Sequence, residues 1–180
     1  MTLLGIIWDI HMKKRLVSLA LLSTLSASTI AANSTFQATV NAISDAAIAQ
    51  TTALHFGAMQ PTSGAVCTMD NTGAVTGSCD ATNANIAIGL ITVSGLTANV
   101  PLNVTVTGQA GTNVSFVSEF DINGAVGTHE NNADNIAIAV TTNGTGDNLT
   151  LDVYGQMTVT TALTPGDSYT ADYIVDVSFQ

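Results

Sequence analysis

The residues of this 180-residue chain whose chemistry invites a functional reading are its histidines, two cysteines and thirteen carboxylates. His55 lies in Leu54-His55-Phe56-Gly57, at the end of an apolar stretch, and His129 lies in the polar run Gly127-Thr-His129-Glu-Asn-Asn132. Neither has a second ligand at a usable metal spacing, so each reads as an exposed histidine outside any site. Asp121-Ile-Asn123-Gly124 begins as a calcium loop begins, but it lacks the third ligand before its glycine and the spaced glutamate. It reads instead as a tight turn, which Asn-Gly favours. A nucleophile beside a base, a Gly-x-Ser-x-Gly elbow and a phosphate-cradling loop are all missing from the sequence. The expectation is a protein that is not an enzyme and carries no cofactor or metal.

The three basic residues of the chain are Lys13, Lys14 and Arg15, and they stand directly before the apolar run Leu16-Val-Ser-Leu-Ala-Leu-Leu-Ser-Thr-Leu25. A basic stretch, an apolar stretch of roughly ten residues and small residues near Thr29-Ile-Ala-Ala32 make a secretory signal peptide, too short for the ~20 residues of a spanning helix. The expected organisation is therefore an upstream extension and signal peptide over residues 1–32, with Met12 the more convincing start, and one domain over residues 33–180. After cleavage no membrane-spanning segment is expected, and the place of function is outside the cell or on its surface, with the periplasm in transit. The exported part has no Lys or Arg and keeps twelve of the thirteen acidic residues, Asp9 being lost, so its net charge is 0 − 12 = −12. A chain without cations cannot displace counterions from a nucleic acid and is repelled by an anionic membrane. Neither partner is expected.

Export also decides the cysteines. In an oxidising compartment Cys67 and Cys79 are expected to be bridged, closing a hairpin whose tip is Met69-Asp-Asn-Thr-Gly-Ala74. A loop of this size is worth roughly 3 kcal/mol in the chain-entropy picture.

The elements that would hold these residues are strands. Thr, Val, Ala, Asn and Gly dominate the exported part, and no stretch keeps a 3.6-residue apolar stripe. Residues 36–42 alternate, with Phe36, Ala38, Val40 and Ala42 on one face. Further strands are expected over residues 46–56, 65–69, 74–78, 86–93, 100–107, 114–120 and 136–142, with residues 128–134 a polar connection. Leu149, Leu151, Val153, Met157 and Val159 then keep one parity across Gly155, read as a bulge. Thr164-Pro165-Gly166-Asp167 has the chemistry of a type II turn and leads into a final strand. On that strand Tyr169, Ala171, Tyr173, Val175, Val177 and Phe179 share a face, and Ile174 is the apolar exception on the other. Nine or ten short strands with regular turn signals predict an all-β, immunoglobulin-like two-sheet antiparallel sandwich with one disulfide-closed hairpin, although the core Trp of a true immunoglobulin domain is missing.

Several of these segments carry a resemblance. Leu54-x-Phe56-Gly57, the Gly73/Gly77 hairpin followed by Val93-Ser-Gly95, Val153-Tyr-Gly155-x-Met-Thr-Val159 and the closing Pro165-Gly-x-x-Tyr169 strand resemble the secreted, pilin-like β-sandwich subunits of bacteria. These include an uncharacterised secreted family with this ending and, more distantly, fimbrial subunits of the chaperone–usher route. The resemblance implies a structural subunit of a surface fibre, polymerising by strand exchange and supporting adhesion or biofilm. Its implied partners are copies of itself or related subunits, a periplasmic chaperone and an outer-membrane usher. It implies that Phe36, Ala38, Val40 and Ala42 are donor teeth and that Tyr169, Tyr173, Val175, Val177 and Phe179 form the C-terminal partner strand. Both cysteines lie in one hairpin, where many pilins place one near the first strand, and the segment before Ala46 is short. The alternative is that residues 33–43 close their own sandwich, which leaves a self-complete, non-polymerising secreted binding module, for glycans for instance.

Overall fold

The computed structural model describes residues 46–180; the alternating segment 36–42 and the leader lie outside the described residues. Among the described residues every regular element is a strand. They are β1 (Ala47–Thr52), β2 (Val66–Met69), β3 (Val75–Gly77), β4 (Gly89–Ser94), β5 (Pro101–Gly108), β6 (Val114–Asn123), β7 (His129–Ala133), β8 (Ile138–Thr141), β9 (Leu149–Val159) and β10 (Tyr173–Phe179). All pairings are antiparallel, and they make a seven-stranded and a three-stranded sheet.

The longest strand, β9, is the spine of the larger sheet. One edge pairs with β6 over its whole length, from Val114↔Val159 to Asn123↔Thr150. The other edge is shared: β4 takes the first half (Gly89↔Val153, Val93↔Leu149) and β2 the second (Val66↔Thr158, Met69↔Gly155). The sheet thus divides into a β4–β1 arm and a β2–β3 arm at Gly155. No bulge exists there, because the register with β6 runs through Ser118↔Gly155 without a shift. Gly155 has φ +128° instead, and a Cβ on it would stand 2.3 Å from the Val117 carbonyl oxygen, a position only glycine fills.

In the smaller sheet β5 is central, with β8 on one side and β10 on the other. Pro101 occupies the first position of β5, where a missing amide costs the ladder little. The period of two decides the core. Leu102, Val104 and Val106 of β5 are fully buried, and so are Leu149, Leu151 and Val153 of β9 and Phe120 of β6. Both sheets present aliphatic teeth inward, which is what a sandwich of small apolar residues requires.

The connections follow their local chemistry with three corrections. Asp167 N donates to Thr164 O at 3.2 Å and Gly166 has φ +93°, the expected type II turn. Cys67 and Cys79 are bridged, with Cα atoms 5.4 Å apart, at the end of the β2–β3 hairpin. The polar run expected as a connection instead forms β7, an exposed edge strand. It holds to β6 through polar side chains: Asn132 Nδ2 donates to Phe120 O at 2.9 Å and Asn131 N donates to Asp121 Oδ1 at 2.7 Å. Nor does Asn123-Gly124 make a two-residue hairpin turn, for β6 and β7 are joined through residues 124–128 and Ala125 bridges Thr142. Finally, the last strand begins at Tyr173 and Tyr169 is outside it. The Thr164 amide donates to the Tyr169 hydroxyl at 2.8 Å, so this ring folds back on the turn instead of entering the strand face.

Candidate functional site

The catalytic reading can be tested against positions. His55 is exposed, and its Nδ1 accepts from the Gly57 amide at 2.8 Å, closing a local turn. His129 Nε2 lies 3.0 Å from Val126 O. Among the described residues no three His, Cys, Asp or Glu side chains are grouped to hold a metal. Asp121, read from sequence as part of a turn, is a buried strand residue. Its carboxylate accepts from the Tyr154 hydroxyl at 2.6 Å, the Asn131 amide at 2.7 Å and Asn71 Nδ2 at 3.2 Å. Burial first, then the hydrogen bond to Asp121 and after it the Asp121 charge, push the Tyr154 phenol above its ordinary value, so it stays a donor. The cluster knots the β2–β3 tip, β6, β7 and β9 together. It is structural, because every buried polar atom in it has a partner.

The site with unspent capacity is an edge. Among the described residues β1 ends the larger sheet and pairs only with β4, and β10 ends the smaller sheet and pairs only with β5. Between them opens a groove of about 610 Å³. β1 contributes Ile48 and Gln50 and its continuation Ala53, Leu54 and Phe56; β10 contributes Tyr173 and Val175, with residues 170–172 before them. The floor is Ile91, Phe116 and Met157. Three rings pack along one end, Phe56 on Phe116 at 5.8 Å and Phe116 on Tyr173 at 6.0 Å, both edge-to-face.

Burial along the two edges shows how far the sandwich is from closed. Every residue of β1 is exposed, with Ile48 at 44 % although its cross-strand partner Val93 is fully buried. On β10 the inward residues Tyr173, Val175 and Val177 are only half-buried and Phe179 is 40 % exposed, while Leu102, Val104 and Val106 opposite them on β5 are completely enclosed. Among the described residues the core is therefore covered in its middle and open along one flank. One polar contact spans the opening: Gln50 Nε2 donates to the Tyr173 hydroxyl at 3.0 Å. Burial pushes the Tyr173 phenol above its ordinary value, and the Gln50 hydrogen bond opposes this.

Of the residues expected to form the C-terminal partner strand, Tyr173, Val175, Val177 and Phe179 share the inward face of β10, and Tyr169 does not. The donor teeth lie outside the described residues. Sequence reading missed β1 as an edge, because its alternation is weak, and missed Gln50, whose side chain has a meaning only across the groove. Comparison with protein-family models, with curated proteins and with solved structures finds no match to this chain.

Proposed function

We propose that this protein is a structural subunit of a surface fibre, polymerising by strand exchange, and that residues 33–43 of one copy fill the groove between β1 and β10 of the next. The observation that supports this most is the open flank: two edge strands, each with a free pairing edge among the described residues, flank an apolar groove while half-buried teeth await cover. The segment directly before β1 alternates Phe36, Ala38, Val40 and Ala42 with Gln37, Thr39 and Asn41. An inserted strand of this kind gains main-chain hydrogen bonds from the edges and apolar burial from alternate side chains. Burial of Phe36 and Val40 is worth roughly 1.5–3 kcal/mol each. Register is set by parity, since a slip of one residue would turn Thr39 and Asn41 inward.

The chemistry of the rest of the chain suits a passive building block. Residues 46–180 contain no Lys or Arg, His55 closes a local turn, and the carboxylates of Asp121 and Asp134 are held in structural hydrogen bonds. The resemblance to pilin-like subunits points the same way, and with it come a periplasmic chaperone and an outer-membrane usher as assembly partners; genes for both beside this one would strengthen the reading. A glycan-binding module would call for exposed aromatic platforms. Phe179, on the free flank, is the one aromatic among the exposed large apolar side chains of the described residues.

The test is deletion of residues 33–43, followed by electron microscopy and sedimentation of the purified protein. A folded subunit that no longer forms fibres is the expected result. Val40→Asp is expected to act nearly as strongly, because an unpaired carboxylate would have to enter an apolar groove at a cost of several kcal/mol. Fibres of ordinary length from both variants would remove the strand-exchange reading.

A further inference from the structure

The chain has two Asn-Gly pairs, Asn123-Gly124 and Asn143-Gly144. In such a pair the glycine nitrogen, with no Cβ beside it, is free to attack the carbonyl carbon of the asparagine side chain. Both glycines are exposed, so access of water does not separate the pairs. The direction of the side chains does. Asn123 is the last residue of β6 and pairs with Thr150 of β9. Its Nδ2 donates to Asp152 Oδ2 at 3.1 Å, which aims the side chain across the sheet and away from the following peptide. Gly124 is in turn pressed on the Asn148 carbonyl, where a Cβ would stand 2.7 Å from the oxygen. Asn143 lies in the β8–β9 turn and folds its side chain forward over its own backbone. Its Oδ1 accepts from the Thr145 and Asp147 amides, both at 3.2 Å, and the Thr145 hydroxyl lies 2.8 Å away. Among the described residues no hydrogen bond engages the Gly144 amide.

We propose that Asn143 is a modification site, at which the folded protein converts its own asparagine to aspartate and isoaspartate with water as the co-reactant. The Gly144 nitrogen forms a bond to Asn143 Cγ and gives its proton to water; the Cγ–Nδ2 bond breaks, and the side-chain nitrogen takes a proton from water and leaves as ammonia. Water then opens the resulting succinimide at either carbonyl. The charge that develops on Oδ1 during the attack meets the Thr145 and Asp147 amides already pointed at it, an arrangement that favours such a charge. The product does not fit the turn. Asn143 Nδ2 donates to Asp147 Oδ2 at 3.3 Å, and a carboxylate in its place sets two like charges against each other. Isoaspartate also lengthens the backbone by one carbon at a residue whose carbonyl accepts from the Asn99 and Gly146 amides, both at 3.2 Å. The turn therefore loosens from residues 98–99. The buried Thr142 hydroxyl, which donates to Thr97 O at 2.6 Å and accepts from the Val100 amide at 2.8 Å, keeps that loosening local.

The experiment ages the purified protein at mildly alkaline pH and locates the gain of one mass unit by fragment-ion mass spectrometry of chymotryptic peptides, with isoaspartate counted by enzymatic methylation. In the folded protein deamidation at Asn143 is expected to run about ten-fold ahead of Asn123, and the two rates are expected to converge in urea, where the geometry is gone. Gly144→Ala is expected to slow Asn143 to a similar degree. This variant should fold, because Gly144 has no positive φ and a Cβ there would lie 3.9 Å from its nearest neighbour, Asn99 Oδ1. Asn143→Asp, standing in for the aged product, is expected to raise hydrogen exchange in residues 98–99 and 143–147 and to leave β6 unchanged. Asn123 reacting as fast as Asn143 in the folded chain, the same preference persisting in urea, or an undiminished rate in Gly144→Ala would overturn the site. Unchanged exchange in Asn143→Asp would overturn the consequence assigned to it.

Discussion

Asp134 illustrates how single polar residues join the two sheets. Its Oδ1 accepts from the Gly108 amide at 2.7 Å, the Ser118 hydroxyl at 2.6 Å and the Ser118 amide at 3.1 Å, tying the end of β5 to the middle of β6. Burial alone would raise the pKa of this carboxyl; the donors from Gly108 and Ser118 outweigh it and hold the group below its ordinary value. A depressed pKa means that the folded state binds the proton less readily than the unfolded chain. The contribution is therefore present above pH ~4, the unfolded value, and is lost as pH falls through the lower folded one. Asp134→Ala is expected to lower stability by about 1–3 kcal/mol at neutral pH in urea titrations, and the difference from wild type should shrink on acidification below pH ~4. Tyr154 works with the opposite sign. Its raised pKa gives stability that is complete below pH ~10 and is lost as pH rises beyond, so alkaline unfolding of Tyr154→Phe should lack that component. At Gly155, alanine would meet the Val117 carbonyl and adopt an unfavourable positive φ. A loss of order 1–3 kcal/mol in thermal or urea unfolding is expected for Gly155→Ala.

Among the elements, the β2–β3 hairpin shows most plainly why a covalent tie is placed where it is. β3 is three residues long and lies at the end of its arm of the larger sheet, and Cys79 just beyond it pairs with Met59 while bonding to Cys67 on β2. Reduction, or the double change Cys67→Ser with Cys79→Ser, is expected to lower stability by roughly 3 kcal/mol, with hydrogen exchange rising first in residues 58–80. The disulfide, the type II turn at Pro165-Gly166 and the strict alternation of β5 were legible in the sequence because each depends on local chemistry. β7 was not. It has no apolar alternation, and its pairing to β6 depends on Asn131 and Asn132 reaching groups distant in sequence. The start of β10 was misplaced for a related reason. Tyr169 continues the parity of the strand, but its hydroxyl is claimed by the Thr164 amide five residues back, a contact that parity cannot reveal. Gly155 has a similar lesson: a glycine in a strand can mark close approach of a neighbouring carbonyl without any bulge.

At the largest scale, residues 46–180 form a sandwich with a closed middle and one flank that none of the described residues covers, and the proposed function rests on that flank. An exposed edge between two sheets is a hazard unless something covers it. The charge of the chain bears on how that cover arrives. With no Lys or Arg in residues 46–180 and eleven carboxylates there, copies repel one another at long range. Association is expected to quicken as ionic strength rises from about 0.01 to 0.15 M, where the screening length falls from roughly 30 to 8 Å, as light scattering would record. The central claim is that residues 33–43 cover the groove of another copy. Hydrogen exchange on the purified protein, followed across a wide concentration range, tests it most directly. Protection of residues 36–42 should rise with concentration together with that of the free edges of β1 and β10. A protein that stays monomeric, with residues 36–42 protected equally at every concentration, would contradict it, for the segment would then close its own sandwich.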